Sequence, residues 1–75
     1  GYPVPAAFSK TKKAGRREYI RARIEEGQVV AFGSEGSGRV SGLSWASGLV
    51  ELGDEAQAIN HGDFVRYIPF ESFGL

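Results

Sequence analysis

An all-β fold, a small and mainly antiparallel barrel or sandwich of about five short strands, is what this sequence predicts. Three observations lead there. Arg17 to Glu25 alternates in character along its length, the period of two expected of a half-buried strand. The other apolar runs are short, rich in Val, Ile and Phe, and divided by Gly, Pro, Asn and Asp, which is strand-and-turn punctuation. No long helical pattern alternates with them, so the rhythm of a parallel sheet is missing.

Composition narrows the functional classes. Seventy-five residues bound the chain to a single domain, residues 1–75, with a marginal core. There is no Cys and one His, His61. Disulfides, thiol nucleophiles, thiolate metal sites and multi-histidine metal sites are therefore excluded. A hydrophobic fraction of 41% argues for a folded globule over disorder. No apolar run approaches the ~18 residues of a membrane helix, and no signal-peptide pattern is visible. Met is absent even at position 1. The expectation is an excised piece of a larger protein, with Gly1 and Tyr2 as candidate non-native residues. Net charge is zero, yet residues 1–40 carry eight Lys/Arg against four Glu (+4) and residues 41–75 one Arg against five acids (−4). That asymmetry points to a local cationic face, where a nucleic-acid binder is usually basic throughout.

Taken in order, Pro3 and Pro5 around Val4 suit an extended edge segment, and Val4 to Phe8 reads as the first strand. Ser9 to Gly15, SKTKKAG, reads as a basic hairpin loop. In the second strand, Arg17 to Glu25, Ile20, Ala22 and Ile24 fall on one face and Tyr19, Arg21 and Arg23 on the other. Glu25-Glu26-Gly27 is the turn into a third strand, Gln28 to Phe32, which pairs with the second as a hairpin. Val40 to Ser47 is the one candidate helix, short and centred near 41–47, with Ser41 as N-cap and Gly48 as a left-handed stop. Leu49 to Leu52 is a fourth strand, Gly53 to Ile59 an acidic loop, and Asn60-His61-Gly62-Asp63 a turn. Phe64 to Ile68 is the last strand, ended by Pro69, and Pro69 to Leu75 is an apolar tail.

The densest Gly/Ser cluster, GSEGSGRVS from Gly33 to Ser41, lies between two of these core-forming strands. Gly36, Ser37 and Ser41 suit an oxyanion cradle, because glycines let consecutive N–H groups converge on an anion and a helix start adds its positive end. The plainer reading is a surface loop with an N-cap serine. Arg16, Arg17, Arg21 and Arg23 offer guanidinium forks for phosphate or another oxyanion; the plainer reading is a solvated face paired with Glu18 or Glu25. Lys10, Lys12 and Lys13 read as a solvated loop, and Trp45 as a core or interface anchor. A Ser37–His61–Asp63 triad is rejected, since the His sits in a turn and no nucleophile elbow is present.

These residues match a known pattern. Arg16-Arg17-Glu18-Tyr19-Ile20-Arg21 resembles the R-x-[ED]-[FY]-x-R strand motif in the C-terminal, fourth domain of the molybdopterin molybdotransferases, the MoeA proteins and the E domains of gephyrin and its plant counterpart. Gly33-Ser34-Glu35-Gly36-Ser37, then Ser41-Gly42-Leu43 and Ala46-Ser47-Gly48-Leu49, resembles that domain's G-x-Q-G-S…S-x-L-x-x-A-x-G-L signature. Gly62-Asp63-Phe64-Val65 is similar to its closing G-x-x-V. Glu35 stands where Gln is usual, Gly42 and Ser44 replace Ser and Ala, and Gly53 replaces a frequent Pro.

The resemblance implies a β-clip-like barrel that walls the active-site cleft of a cytoplasmic homodimeric enzyme. That enzyme inserts molybdate into adenylylated molybdopterin with Mg²⁺. Arg21 and Ser37 match positions on the molybdate side of the cleft, Arg16 matches the first Arg of the strand motif, and Ser41 the signature's second Ser; Gly36 lies in the same loop. Partners are then the parent chain's other domains, a second subunit and adenylylated molybdopterin, with neither membrane nor nucleic acid expected. No catalytic or metal-binding residue is expected within this domain alone. Isolated, it is expected to be inactive and to hold no cofactor tightly. The competing expectation is a non-enzymatic β module that takes an acidic partner, RNA or protein, through its basic half.

Overall fold

A computed structural model describes residues 1–32 and 45–73. The described residues form seven strands: β1 (Tyr2–Pro5), β2 (Lys10–Lys12), β3 (Glu18–Glu25), β4 (Gln28–Ala31), β5 (Gly48–Leu52), β6 (Gln57–Ile59) and β7 (Phe64–Pro69). A short 3₁₀ turn, Phe70–Phe73, follows. Five strands make one antiparallel sheet in the order β1-β7-β5-β3-β4, and β2 pairs with β6 in a separate two-stranded ribbon. The all-β, mainly antiparallel expectation holds.

The sheet curls until its edges meet. Beyond β1, Ala6 bridges Val29 of β4 in parallel, and Ala7 donates its N–H to the Val29 carbonyl at 2.8 Å. Ala6 donates the opposite way, to Asp63 ahead of β7. Donors alternate along a strand, so positions 3 and 5 share Ala7's side, which β7 does not pair with. Pro3 and Pro5 therefore give up no ladder bond to β7. The inward residues, among them Val4, Ala6, Phe8, Ala22, Val29, Val50, Leu52, Val65 and Tyr67, close into one core. Val29 and Val50 are wholly buried.

The β3–β4 hairpin forms as the alternation requires. Glu25 lies opposite Gln28, leaving Glu26 and Gly27 as a two-residue turn with φ of 52° and 79°. Two positive φ values mark a type I′ turn, whose twist matches the strands it joins. Glu26 carries a side chain where that turn favours Asn. Glu26→Asn is expected to raise stability by about 0.5–1 kcal/mol, read as a higher urea midpoint at unchanged slope.

Several sequence-based expectations are corrected. Lys10–Lys12 and Gln57–Ile59 were expected as loops and are strands, paired Lys10↔Ile59, Thr11↔Ala58 and Lys12↔Gln57. Lys12 is buried, with its ammonium donating to the Lys13 carbonyl at 2.8 Å, so its aliphatic stem serves as packing. β1 ends at Pro5 and does not run to Phe8. Ile24, at the hairpin end of β3's inner row, is 37% exposed. The helix expected near 41–47 falls mostly on residues 33–44, outside the described ones. At its end Ser47 donates to the Ala22 carbonyl at 2.9 Å, which extends the β5–β3 ladder. Gly48 is a strand residue without a positive φ. It is needed for close approach: a Cβ there would lie 2.5 Å from the Ile68 carbonyl oxygen and 2.6 Å from the Tyr67 ring.

Candidate functional site

The outward face of β3 carries Tyr19, Arg21 and Arg23 in alternation with inward Ile20 and Ala22. Antiparallel register sets Tyr19 opposite Glu51 and Arg21 opposite Leu49 on β5. On the other side Arg23 stands opposite Val30 of β4, and Phe32 donates its N–H to the Arg21 carbonyl at 2.8 Å. Tyr19, Ile20, Arg21, Phe32 and Leu49 thereby line a shallow pocket of about 490 Å³.

The two flanks of residues 33–44 meet the sheet at this point. Phe32, just before them, is bonded to Arg21, and Ser47, shortly after them, to Ala22. Trp45 lies against Phe32, ring centroids 5.7 Å apart, and under the Arg23 guanidinium at 5.3 Å. Ser47 Oγ and the Tyr67 hydroxyl share a hydrogen bond of 2.6 Å, which fixes this end of β5 over the core.

The cations of this face differ in what they are bound to. Arg23 pairs with Glu25 at 2.8 Å while stacking on Trp45. Arg17 reaches Glu51 at 3.4 Å and Asp54 at 3.7 Å. Arg66 of β7 takes the other oxygen of Glu51 at 3.4 Å. The Tyr19 hydroxyl also donates to Glu51, at 3.0 Å. Hydrogen bonding with Tyr19 first, and the Glu51 carboxylate second, raise the pKa of Arg17 above its ordinary value, so it stays charged throughout the working pH range. Lys10 pairs with Glu18 at 3.5 Å. Of the basic half, Lys10, Arg17 and Arg23 are thus paired within the domain. Among the described residues no salt bridge or side-chain hydrogen bond engages Arg21 or Arg16.

Of the five residues singled out for anion binding, Arg21 lies mid-strand on the pocket wall. Arg16 stands before β3, five positions away and at most ~16–18 Å along the chain. Arg16 is exposed and does not line the pocket. Gly36, Ser37 and Ser41 lie outside the described residues, as does Glu35. Ser37 of the rejected triad does too, while Asp63 accepts the Asn60 N–H at 2.8 Å and holds its turn. Sequence reasoning did not single out Glu51. The available signal was the alternation of Leu49 and Glu51 with Val50 and Leu52, which places a carboxylate on the arginine face.

A family model described as the MoeA C-terminal region (domain IV) matches residues 3–70. No curated protein and no solved structure matches the chain.

Proposed function

The chain belongs to the MoeA family through its C-terminal region, domain IV, and from that premise we propose that it walls the cleft where molybdate is inserted into adenylylated molybdopterin. The observation that carries this reading is Arg21. It is an exposed guanidinium on a pocket wall, without an ionic partner among the described residues, at the root of the Gly/Ser segment. Molybdate, the substrate, is a tetrahedral dianion. A guanidinium offers it a planar fork of donors and a fixed positive charge. Ser37, with the N–H groups around Gly36 and Ser41, completes the proposed cradle, and Arg16 supplies further positive charge at its margin. The domain's part is positioning and electrostatics: it holds the oxyanion where the dithiolene sulfurs of molybdopterin reach it.

The parent enzyme is then a molybdopterin molybdotransferase acting in the cytoplasm as a homodimer, with the remaining domains and the second subunit completing the cleft. In that family Mg²⁺ supplies charge neutralisation at the nucleotide-bearing substrate. The described residues do not fit such a site. Among the described residues no three His, Cys, Asp or Glu side chains come together to hold a metal. Among the described residues no helix is long and apolar enough to cross a membrane.

The test is Arg21→Ala in the intact enzyme, with molybdenum insertion followed across molybdate concentrations. A rise in the half-saturating concentration is expected, and an unchanged one would sink the assignment. The acidic-partner reading has less behind it, because Glu18, Glu25, Glu51 and Asp54 already engage Lys10, Arg23, Arg17 and Arg66. A salt-sensitive RNA mobility shift by the domain would favour it instead.

A further inference from the structure

We propose that Arg17 and Arg66 are positioning residues that hold the Glu51 carboxylate away from Arg21 and so keep Arg21 available to an oxyanion; this rests on the molybdate reading above. Tyr19 faces Glu51 and Arg21 faces Leu49, two pairs of the β3–β5 ladder separated by Ile20↔Val50 and so successive on one face. Glu51 and Arg21 are therefore diagonal neighbours on one face, about 7–8 Å apart at the backbone and within side-chain reach. A carboxylate in that position is a competitor for the guanidinium.

Each Glu51 oxygen is engaged elsewhere. Oε2 accepts from the Tyr19 hydroxyl at 3.0 Å and from Arg17 at 3.4 Å, and Oε1 faces Arg66 at 3.4 Å. The Glu51 side chain is 16% exposed, whereas Arg17 and Arg66 are 54% and 59% exposed. The carboxylate is thus the fixed centre, and two surface cations close over it from β7 and from the approach to β3. Arg23, the next outward residue after Arg21 on β3, is likewise committed to Glu25 and Trp45. Arg21, with no such partner among the described residues, is left to bind from solution. Removing Arg17 and Arg66 leaves Glu51 with the Tyr19 hydroxyl alone of these three partners; the uncompensated carboxylate is then drawn toward Arg21, and its charge opposes an incoming dianion.

The experiment uses the intact enzyme and measures molybdenum insertion against molybdate concentration. Arg17→Ala/Arg66→Ala is expected to raise the half-saturating molybdate about three- to fivefold, the worth of one exposed ion pair, with the rate at saturating molybdate unchanged. Adding Glu51→Gln to that double variant is expected to restore the parental value, which the loss of a merely structural contact would not allow. If the double variant matches the parent while Arg21→Ala does not, the positioning role is wrong and the molybdate reading stands. If the double variant is impaired and Glu51→Gln fails to rescue it, Arg17 or Arg66 serves the anion or the fold directly, and the inference is overturned. If Arg21→Ala itself changes nothing, the reading beneath the inference falls.

Discussion

Gly48→Ala is expected to lose about 3 kcal/mol of stability, the upper range for forcing a methyl into a filled interior. The added carbon meets two groups at once, the Ile68 carbonyl oxygen at 2.5 Å and the Tyr67 side chain, whose Cζ and hydroxyl oxygen both lie at 2.6 Å. The first belongs to the backbone of β7, which is paired to β5 at this point through Gly48↔Pro69 and Leu49↔Ile68. It can retreat only if the two strands separate. The second belongs to a ring that is 2% exposed and tied at its hydroxyl to Ser47. It can retreat only by giving up that bond and opening the core. A chain of this length has roughly 4–11 kcal/mol of stability in all, and each kcal/mol moves the thermal midpoint by about 4–8 °C. A fall of roughly 12–24 °C by circular dichroism is therefore expected. Gly48→Ala/Tyr67→Phe should recover only part of it, because the carbonyl and the ring carbon Cζ remain in place. A midpoint within about 3 °C of the parent would mean that the β5–β7 pair yields more easily than this geometry implies.

How much of this was legible beforehand depends on what carries the information. The β3–β4 hairpin was readable because Arg17 to Glu25 alternates and Glu26-Gly27 follows, so period and turn chemistry agree. β2 and β6 were not, because three residues such as Lys10-Thr11-Lys12 offer no apolar period, and their pairing is decided by a partner some forty-five positions away. The role of Gly48 was misread for a related reason. A glycine after an apolar run suits a helix stop as well as a strand crossing, and only the position of Tyr67 decides between them. At the site, the arginine face of β3 followed from alternation. Which arginine remains uncommitted did not, since that is settled by Glu51 and Arg66 arriving on two other strands.

Arg21→Ala in the intact enzyme is expected to raise the half-saturating molybdate about 10- to 100-fold, the equivalent of losing one charge-assisted hydrogen-bonded contact of ~1.5–3 kcal/mol. The magnitude follows from what Arg21 lacks. With no carboxylate paired to it among the described residues, its charge is available to the ligand, so deletion removes an attraction and frees nothing in exchange. Arg21→Lys keeps the charge and loses the planar fork, and should fall between the two. Arg16→Ala should do less than Arg21→Ala, because Arg16 stands before β3 and outside the pocket that Tyr19, Arg21, Phe32 and Leu49 line. Salt separates charge from shape. An exposed guanidinium is screened over about 10 Å at 0.1 M ionic strength, so the gap between Arg21→Ala and the parent should narrow as salt rises. A deficit that does not change with salt would indicate that Arg21 acts by shaping the pocket between Phe32 and Leu49, and the electrostatic account of this domain would then be wrong even if the residue proved essential.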